Sequence, residues 1–170
     1  TTLPLTETPY AVSAIAVDRL TPGRPGLALD EALRAVPGVQ IDNRYNYALG
    51  ERIAVRGFGA RSQFGIRGVR VIVDDVPATF PDGQTSLSHL DLAFLSRAEI
   101  IRGPASSLYG GSAGGVIQLE TQLPVPGQQI REAAVMGGSH DLLPAHAAIG
   151  EGSDRGAYLV RLSHLGYGGD

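Results

Sequence analysis

The sequence predicts two consecutive architectures, an α+β stretch of short elements and then an antiparallel all-β stretch. Three observations predict it. One amphipathic segment, LALDEALRAVPG, sets Leu29, Leu33 and Val36 at i, i+4 and i+7 and stops at Pro37-Gly38. Around it lie short Val- and Ile-rich runs punctuated by 23 glycines and 11 prolines, which read as strands between turns. After LPVPGQ come three strand-length segments separated by GGSHD and GEGSDRG, the pattern of a meander. A length of 170 residues allows one ordinary domain, or a domain plus a fragment of another.

The elements follow in order. Ala11 to Val17 reads as a strand and TPGRPG as a turn, ahead of the helix that ends at Pro37-Gly38. Val39 to Ile41 leads into a polar, tyrosine-bearing loop, DNRYNYALGE. Arg52 to Arg56 alternates polar and apolar and predicts a half-buried strand. Val69 to Asp75 is the next strand, and residues 77–89 form a long loop with turn chemistry at Pro81-Asp82-Gly83. Leu90 to Leu95 fits a single helical turn and Glu99 to Arg102 a short strand. Pro104 suits the first position of a short helix, PASSLYG, and Gly115 to Thr121 is a strand. The meander comprises Ile130 to Met136, Leu142 to Ile149 and Gly156 to Leu165, with the boundary near Pro124–Gln128.

Composition removes several function classes. Hydrophobic residues at 43% and charged residues at 18% are globular values. All 14 basic residues are arginine and 17 residues are acidic, for a net charge of −3, against a generic nucleic-acid binder. The absence of cysteine excludes a disulfide framework, a thiolate metal site and a cysteine nucleophile. No window approaches 18 apolar residues, which excludes a transmembrane helix but not a β-barrel. The opening TTLPLTETPY has neither the basic nor the apolar region of a signal peptide, so such a peptide is expected to be removed or absent.

Four motifs bear on chemistry. Gly110-Gly111-Ser112-Ala113-Gly114 fits the G-x-S-x-G pattern of a hydrolase nucleophile, which needs a strand before it and a helix after it. Here the predicted order is the reverse, and five small residues read more simply as a tight turn in which the backbone passes close to something. Gly57-Phe58-Gly59 opens like a dinucleotide fingerprint but reaches Ser62 at the sixth position with no helix following. His89, His140, His146 and His164 share no metal-ligand spacing, and no metal or other cofactor is expected. Arg52, Arg56, Arg61, Arg67 and Arg70 form a stripe with Phe58 and Phe64 between them. It fits a nucleic-acid or phosphate surface, a solvated face, or pairing with carboxylates beyond this segment. The residues alone leave these three open.

The ordered motifs LDEALRAVPGV, IAVRGFGAR, VRVIVDDVPAT and LSRAEIIRGPASSLYGGSAGGVIQLET resemble the plug domain of TonB-dependent outer-membrane receptors. The resemblance covers roughly residues 6–121. Asp75 stands where the family usually has glycine, and Gln118-Leu119-Glu120 replaces its common N-I-x-T. No TonB box is visible. The resemblance implies a plug domain over 6–123 with a short mixed sheet and small helices. It implies that 129–170 is the first strands of a transmembrane β-barrel of about 22 strands. It further implies energy-coupled import of a ferric siderophore or similar metal chelate across the outer membrane of a Gram-negative bacterium, without enzymatic chemistry. The implied partners are the TonB protein of the TonB-ExbB-ExbD system, the chain's own barrel, outer-membrane lipid and the chelate, with no nucleic acid.

By the same resemblance, Arg56 and Arg102 match arginines that pair with barrel-wall glutamates. Arg44, Tyr45, Tyr47, Phe80, Asp82 and Gln84 fall on the substrate-binding loops at the extracellular apex. In the last meander strand Tyr158, Val160 and Leu162 would face lipid and Arg161 and Ser163 the lumen, with Leu159 breaking the alternation. Two rival readings stand beside this one: a soluble arginine-rich nucleic-acid-binding module, and a serine hydrolase using Ser112.

Overall fold

A Val-rich strand, VRVIV, lies at the heart of the first unit because its neighbours cover both of its faces. It is β5 (Val69–Val73), and Val69, Val71 and Ile72 are all buried. The computed structural model describes residues 11–16, 29, 33, 36–42, 52–62, 65–87, 94–103, 113–138, 141 and 143–166. The chain divides into two compact units, Thr1–Thr121 and Gln122–Asp170.

The first unit is built on a five-stranded mixed sheet in the order β1-β8-β9-β5-β6. β1 is Ala11–Ala16, β6 Val76–Pro77, β8 Leu95–Arg102 and β9 Gly115–Thr121. β5 and β9 run parallel, from Val69↔Gly115 to Val73↔Leu119, and every other pairing in the sheet is antiparallel. Period-two alternation sends Val69, Val71, Ala98, Ile100, Ile117 and Leu119 to one face. There they form one core with Leu29, Leu33 and Val36. Leu29 and Leu33 are helical, as the i, i+4 spacing predicts, and Leu33 is completely buried. Each such side chain contributes about 1.5–3 kcal/mol. Ile72 and Val116 form a smaller cluster on the opposite face, joined by Ile101.

Two small hairpin-like sheets complete this unit. β2 (Val39–Asp42) pairs with β3 (Arg52–Val55), and β4 (Ile66–Arg67) with β7 (Gln84–Thr85). The β6–β7 segment returns along β5: Ala78 N donates to the Val71 carbonyl, and the Thr79 hydroxyl accepts from Val71 N at 2.9 Å. The Thr79 and Thr85 hydroxyls share a 2.7 Å hydrogen bond, and Thr85 has no exposure to solvent.

Several boundaries differ from the sequence reading. Arg56 belongs to a turn and not to β3, with φ at 51°. Asp74 and Asp75, at φ 46° and 65°, form the β5–β6 turn and do not extend the strand. Short polar side chains tolerate this left-handed backbone. The loop at 77–89 contains strand pieces of two residues, too short to leave a periodic signal. Of the expected helical turn at Leu90–Leu95, residues 90–93 lie outside the described residues and Phe94 is in a 3-10 turn; Leu95 begins β8, which reaches back four residues beyond the expected Glu99 start. The proposed helix at 104–110 lies outside the described residues, as do the residues between Leu29 and Leu33.

The second unit is the expected meander, β10 (Gln129–Val135), β11 (Leu143–Ser153) and β12 (Gly156–Gly166), all antiparallel. β11 runs four residues further than the sequence suggests, through Gly150 and Gly152, leaving Asp154-Arg155 as the turn. Those glycines serve close packing and do not end the strand. A Cβ on Gly152 would lie 2.2 Å from the Val125 carbonyl oxygen, and one on Gly150 would meet Leu159 Cδ1 at 2.9 Å. Tyr158, Val160 and Leu162 share one face with Ile149 and Ala147, and Leu162 is 72% exposed. Arg161 lies on the other face, its side chain only 4% exposed, donating to Gln122 at 3.0 Å and Glu132 at 3.2 Å. Leu159 shares that face and covers Gly150, which accounts for the break in alternation.

Two outcomes follow for stability. Gly57 and Gly59 both have positive φ, but a Cβ on Gly57 meets open space while one on Gly59 would lie 2.6 Å from the Ile53 carbonyl oxygen. In urea unfolding, Gly57→Ala should cost about 1–2 kcal/mol, and Gly59→Ala at least about 1 kcal/mol more through overpacking. Equal costs would show that the turn relaxes freely. Thr79→Val strands the Val71 amide and the buried Thr85 hydroxyl, at a cost of about 1–3 kcal/mol. Hydrogen exchange at Val71 should accelerate in that variant, and an unchanged rate would count against the hydroxyl pair as a fastening.

Candidate functional site

The parallel register sorts the first unit into two ends. At one end Val69 lies opposite Gly115, which in turn pairs with Arg102. The segment after the Asp74-Asp75 turn runs back toward this end, since Pro77 pairs with Ile72 and Ala78 bonds to Val71. The Phe80–Gln84 loop therefore sits at the Val69 end, beside β4. At the other end the Asp74 carboxylate accepts two bonds from Thr121, from its backbone N and its hydroxyl, both at 2.8 Å.

The Phe80–Gln84 loop is shaped by its own backbone. Phe80 N donates to the Gln84 carbonyl and Gly83 N to the Phe80 carbonyl, both at 2.9 Å. Asp82 Oδ1 accepts from Gln84 N at 3.0 Å, an aspartate turn that holds the tip. Phe80 is 61% exposed on this hydrogen-bonded tip. Gln84 Oε1 accepts from Arg67 Nη2 at 3.4 Å, across the Arg67↔Gln84 pair of β4 and β7. An exposed aromatic face, a guanidinium and an amide on adjoining elements can bind a flat, partly anionic molecule. Arg67, a member of the arginine stripe, is joined to the Phe80–Gln84 tip by the β4–β7 pairing. Its signal was its place two residues after Gly65, in a strand too short to read.

Arg44, Tyr45 and Tyr47 lie outside the described residues. What the structure describes is the neck of their loop, where Asp42 and Arg52 are paired in register and joined by an ion pair.

Arg56 and Arg102 come together on the turn that ends the helix. A Cβ on Gly38 would lie 3.8 Å from Arg56 Cγ and 4.0 Å from Arg102 Cδ, so both stems pass over Gly38. Arg56 N donates to the Gly38 carbonyl at 2.9 Å, while its exposed guanidinium has no partner among the described residues. Arg102 instead donates three times within the unit, to the Ala11 carbonyl, the Pro37 carbonyl and the Ser13 hydroxyl.

The remaining motifs resolve structurally. Gly114 N donates to the Gly68 carbonyl at 2.9 Å, and a Cβ on Gly114 would lie 2.6 Å from Phe58 Cβ. One on Gly115 would lie 2.4 Å from the Ile101 carbonyl oxygen. Close backbone approach is thus the use of Gly114 and Gly115, and the strand β9 that follows removes the context a nucleophile elbow needs. Ser112 is outside the described residues. Gly57-Phe58-Gly59 forms a turn in which Phe58 bridges Val55, with no helix at the second glycine. His146 and His164 fall on opposite faces of the meander, and no metal-binding group of three or more His, Asp or Glu occurs among the described residues. The arginine stripe is dispersed over β3, a turn, β4 and β5, with Arg52 and Arg67 bonded inside the unit.

Comparison with known proteins accounts for this arrangement. Residues 4–116 match the TonB-dependent Receptor Plug Domain. A hemin receptor of Yersinia enterocolitica is 35% identical over 129 residues, 72% of this chain and 17% of that protein. The ferrichrome outer membrane transporter and phage receptor of Escherichia coli K12 is 26% identical over 170 residues, 97% of this chain and 21% of that protein. The ferric yersiniabactin uptake receptor FyuA from Yersinia pestis has the same fold, with a TM-score of 0.71 at 23% identity over 92% of this chain and 24% of that one. The chain spans about a fifth of the length of these relatives. The short mixed sheet with its glycine-lined turns is a plug, and the chain belongs to the TonB-dependent receptor plug-domain family.

Proposed function

We propose that this chain is the plug and the opening barrel strands of a transporter that imports an iron chelate, a ferric siderophore or haem, using energy delivered by TonB. The outer membrane of a Gram-negative bacterium is where receptors of this family work, and the chain belongs there. The observation that carries the reading is the joining, in one chain, of a plug-family domain to strands of membrane-crossing length. β11 and β12 have 11 residues each, and a tilted strand crosses the hydrocarbon core in about 9–11. Their alternation puts Tyr158, Val160, Leu162 and Ile149 on a face suited to lipid, and Arg161 and Glu132 on a face suited to a wet lumen.

In this reading residues 6–123 plug a barrel of about 22 strands that begins at 129–170. The Phe80–Gln84 tip and the loop carrying Arg44, Tyr45 and Tyr47 face the outside and meet the chelate. The names of the relatives, which include hemin and ferrichrome receptors, favour iron chelates as the class. Arg56, whose exposed guanidinium has no partner among the described residues, pairs with a wall carboxylate, and Arg102 assists with the donors its internal bonds leave over. TonB, with ExbB and ExbD, supplies the pull from the periplasmic side. Transport in this reading makes and breaks no covalent bond.

The test is growth and uptake. A strain lacking the receptor, then complemented with it, should regain uptake of one member of a panel of ferric siderophores and haem, and lose it again when TonB is deleted. Uptake that persists without TonB, or none across the panel, sinks the proposal. With that chelate, Phe80→Ala, Arg44→Ala or Tyr45→Ala should weaken binding about tenfold, roughly 1.4 kcal/mol. Wild-type affinity in all three places recognition in the barrel loops. Arg56→Ala should raise passive entry of large antibiotics, and unchanged entry would leave Arg56 merely solvated.

A further inference from the structure

Strand β1 lies at the edge of the five-stranded sheet, paired among the described residues on one side only, with β8, from Ala11↔Arg102 to Ala16↔Arg97. None of its six residues is fully buried, and Ile15 is the one that packs on the core. β8 by contrast buries Leu95, Ala98 and Ile100. Little apolar burial therefore holds β1, which leaves this six-residue edge strand open to local release.

One side chain compensates. Arg102, at the end of β8 opposite Ala11, turns its guanidinium across the edge strand. Nε donates to the Ala11 carbonyl at 3.2 Å, Nη2 to the Ser13 hydroxyl at 2.7 Å and Nη1 to the Pro37 carbonyl at 2.6 Å. A planar fork makes this three-way geometry possible, and a lysine ammonium cannot reproduce it. The edge strand, the end of β8 and the turn after the helix are thus joined through one group.

We propose that Arg102, received by Ser13, is the tie that governs release of β1 from the sheet. With the tie closed the sheet has five strands; with it open β1 leaves while β8, β9 and β5 keep their pairing and their core. The consequence for transport rests on the function proposed above: a pull applied ahead of Ala11 meets this tie before it meets the buried strands. Ser13 would then be a positioning residue for opening, acting through Arg102 and touching no substrate.

Hydrogen exchange in the full-length receptor reconstituted in lipid tests this without reference to transport. Ser13→Ala removes one arm of the tie and leaves the charge of Arg102 for any wall partner; Arg102→Lys keeps the charge and loses the fork. In both, β1 peptides should exchange about tenfold faster, the factor expected for one charge-assisted hydrogen bond, while β9 peptides keep wild-type rates. Arg97→Gln, at the far end of the same strand pair, should leave β1 unchanged. Wild-type β1 exchange in both variants overturns the proposal, as does equal acceleration in β1 and β9, which marks general destabilisation. Acceleration in Arg102→Lys alone overturns the part given to Ser13. Chelate uptake measured beside it separates the two ideas, since absent uptake in the wild type refutes the transporter reading while exchange still decides the tie.

Discussion

The parallel pairing of β5 and β9 is the constraint on which the rest of the first unit depends. Parallel neighbours cannot be joined by a hairpin, so the chain must travel from Val73 back to Gly115 before β9 begins. On that route it lays down β6, the Phe80 loop, β7 and β8, and β8 enters antiparallel to β9. That order delivers Arg102, Gly114 and the Phe80 loop to the Val69 end together. The seam closes there only because backbone meets backbone: Gly114 bonds to Gly68, and Gly115 passes so close to Ile101 that a methyl group would collide with its carbonyl. Glycine at 114 and 115 is therefore a packing requirement of the register. The resemblance to a catalytic serine motif is a by-product of it.

The opposite end shows the same economy with different chemistry. The β5–β6 turn needs two consecutive residues at positive φ, and Asp74 and Asp75 supply them where the family prefers glycine at the second. The aspartates compensate for the less favourable backbone by forming side-chain bonds that glycine lacks. Asp74 holds Thr121 by two bonds, and Gln118 reaches Asp75 at 3.5 Å. Thr121 is the last residue of the first unit, so this carboxylate fixes the point at which β9 ends and the chain leaves the sheet.

What was legible in the sequence was local. Leu29 and Leu33 declared a buried helical face with Val36 buried just past it, the run from Val69 declared a strand that overran its end by two residues, Gly115–Thr121 declared another, and Pro81-Asp82-Gly83 declared the turn beside Phe80. What was not legible depends on long-range register. Two-residue strands such as β4 and β7 exist only because Ile66 and Thr85 meet, and no periodicity announces them. The Arg102–Ser13 bond joins residues 89 apart. Gly150 and Gly152 looked like the end of a strand because glycine usually interrupts one, yet the neighbours Leu159 and Val125 need the space they leave. In the meander, Ala148 has a similar role: it stands between Glu132 and Arg161 in register and is small enough for their side chains to join over it.

Arg56 and Arg102 are identical as motifs, each an arginine followed by a glycine at positive φ, and both stems cross Gly38. The structure nonetheless divides their work. A guanidinium has five N–H donors, and all of those on Arg56 remain open among the described residues. Arg102 has given three bonds to its own unit before any outside carboxylate is considered. An outside carboxylate facing Arg56 gains a guanidinium that must be desolvated on pairing, whereas one facing Arg102 meets a cation already ordered and partly desolvated. The difference has a structural cost on one side only. Withdrawing a carboxylate from Arg56 would return an exposed side chain to water, but drawing Arg102 outward breaks the bonds that hold Ala11, Ser13 and Pro37 together. Any force or ligand that recruits Arg102 therefore acts on the edge strand as well, and the sheet and its surroundings are coupled through that one side chain.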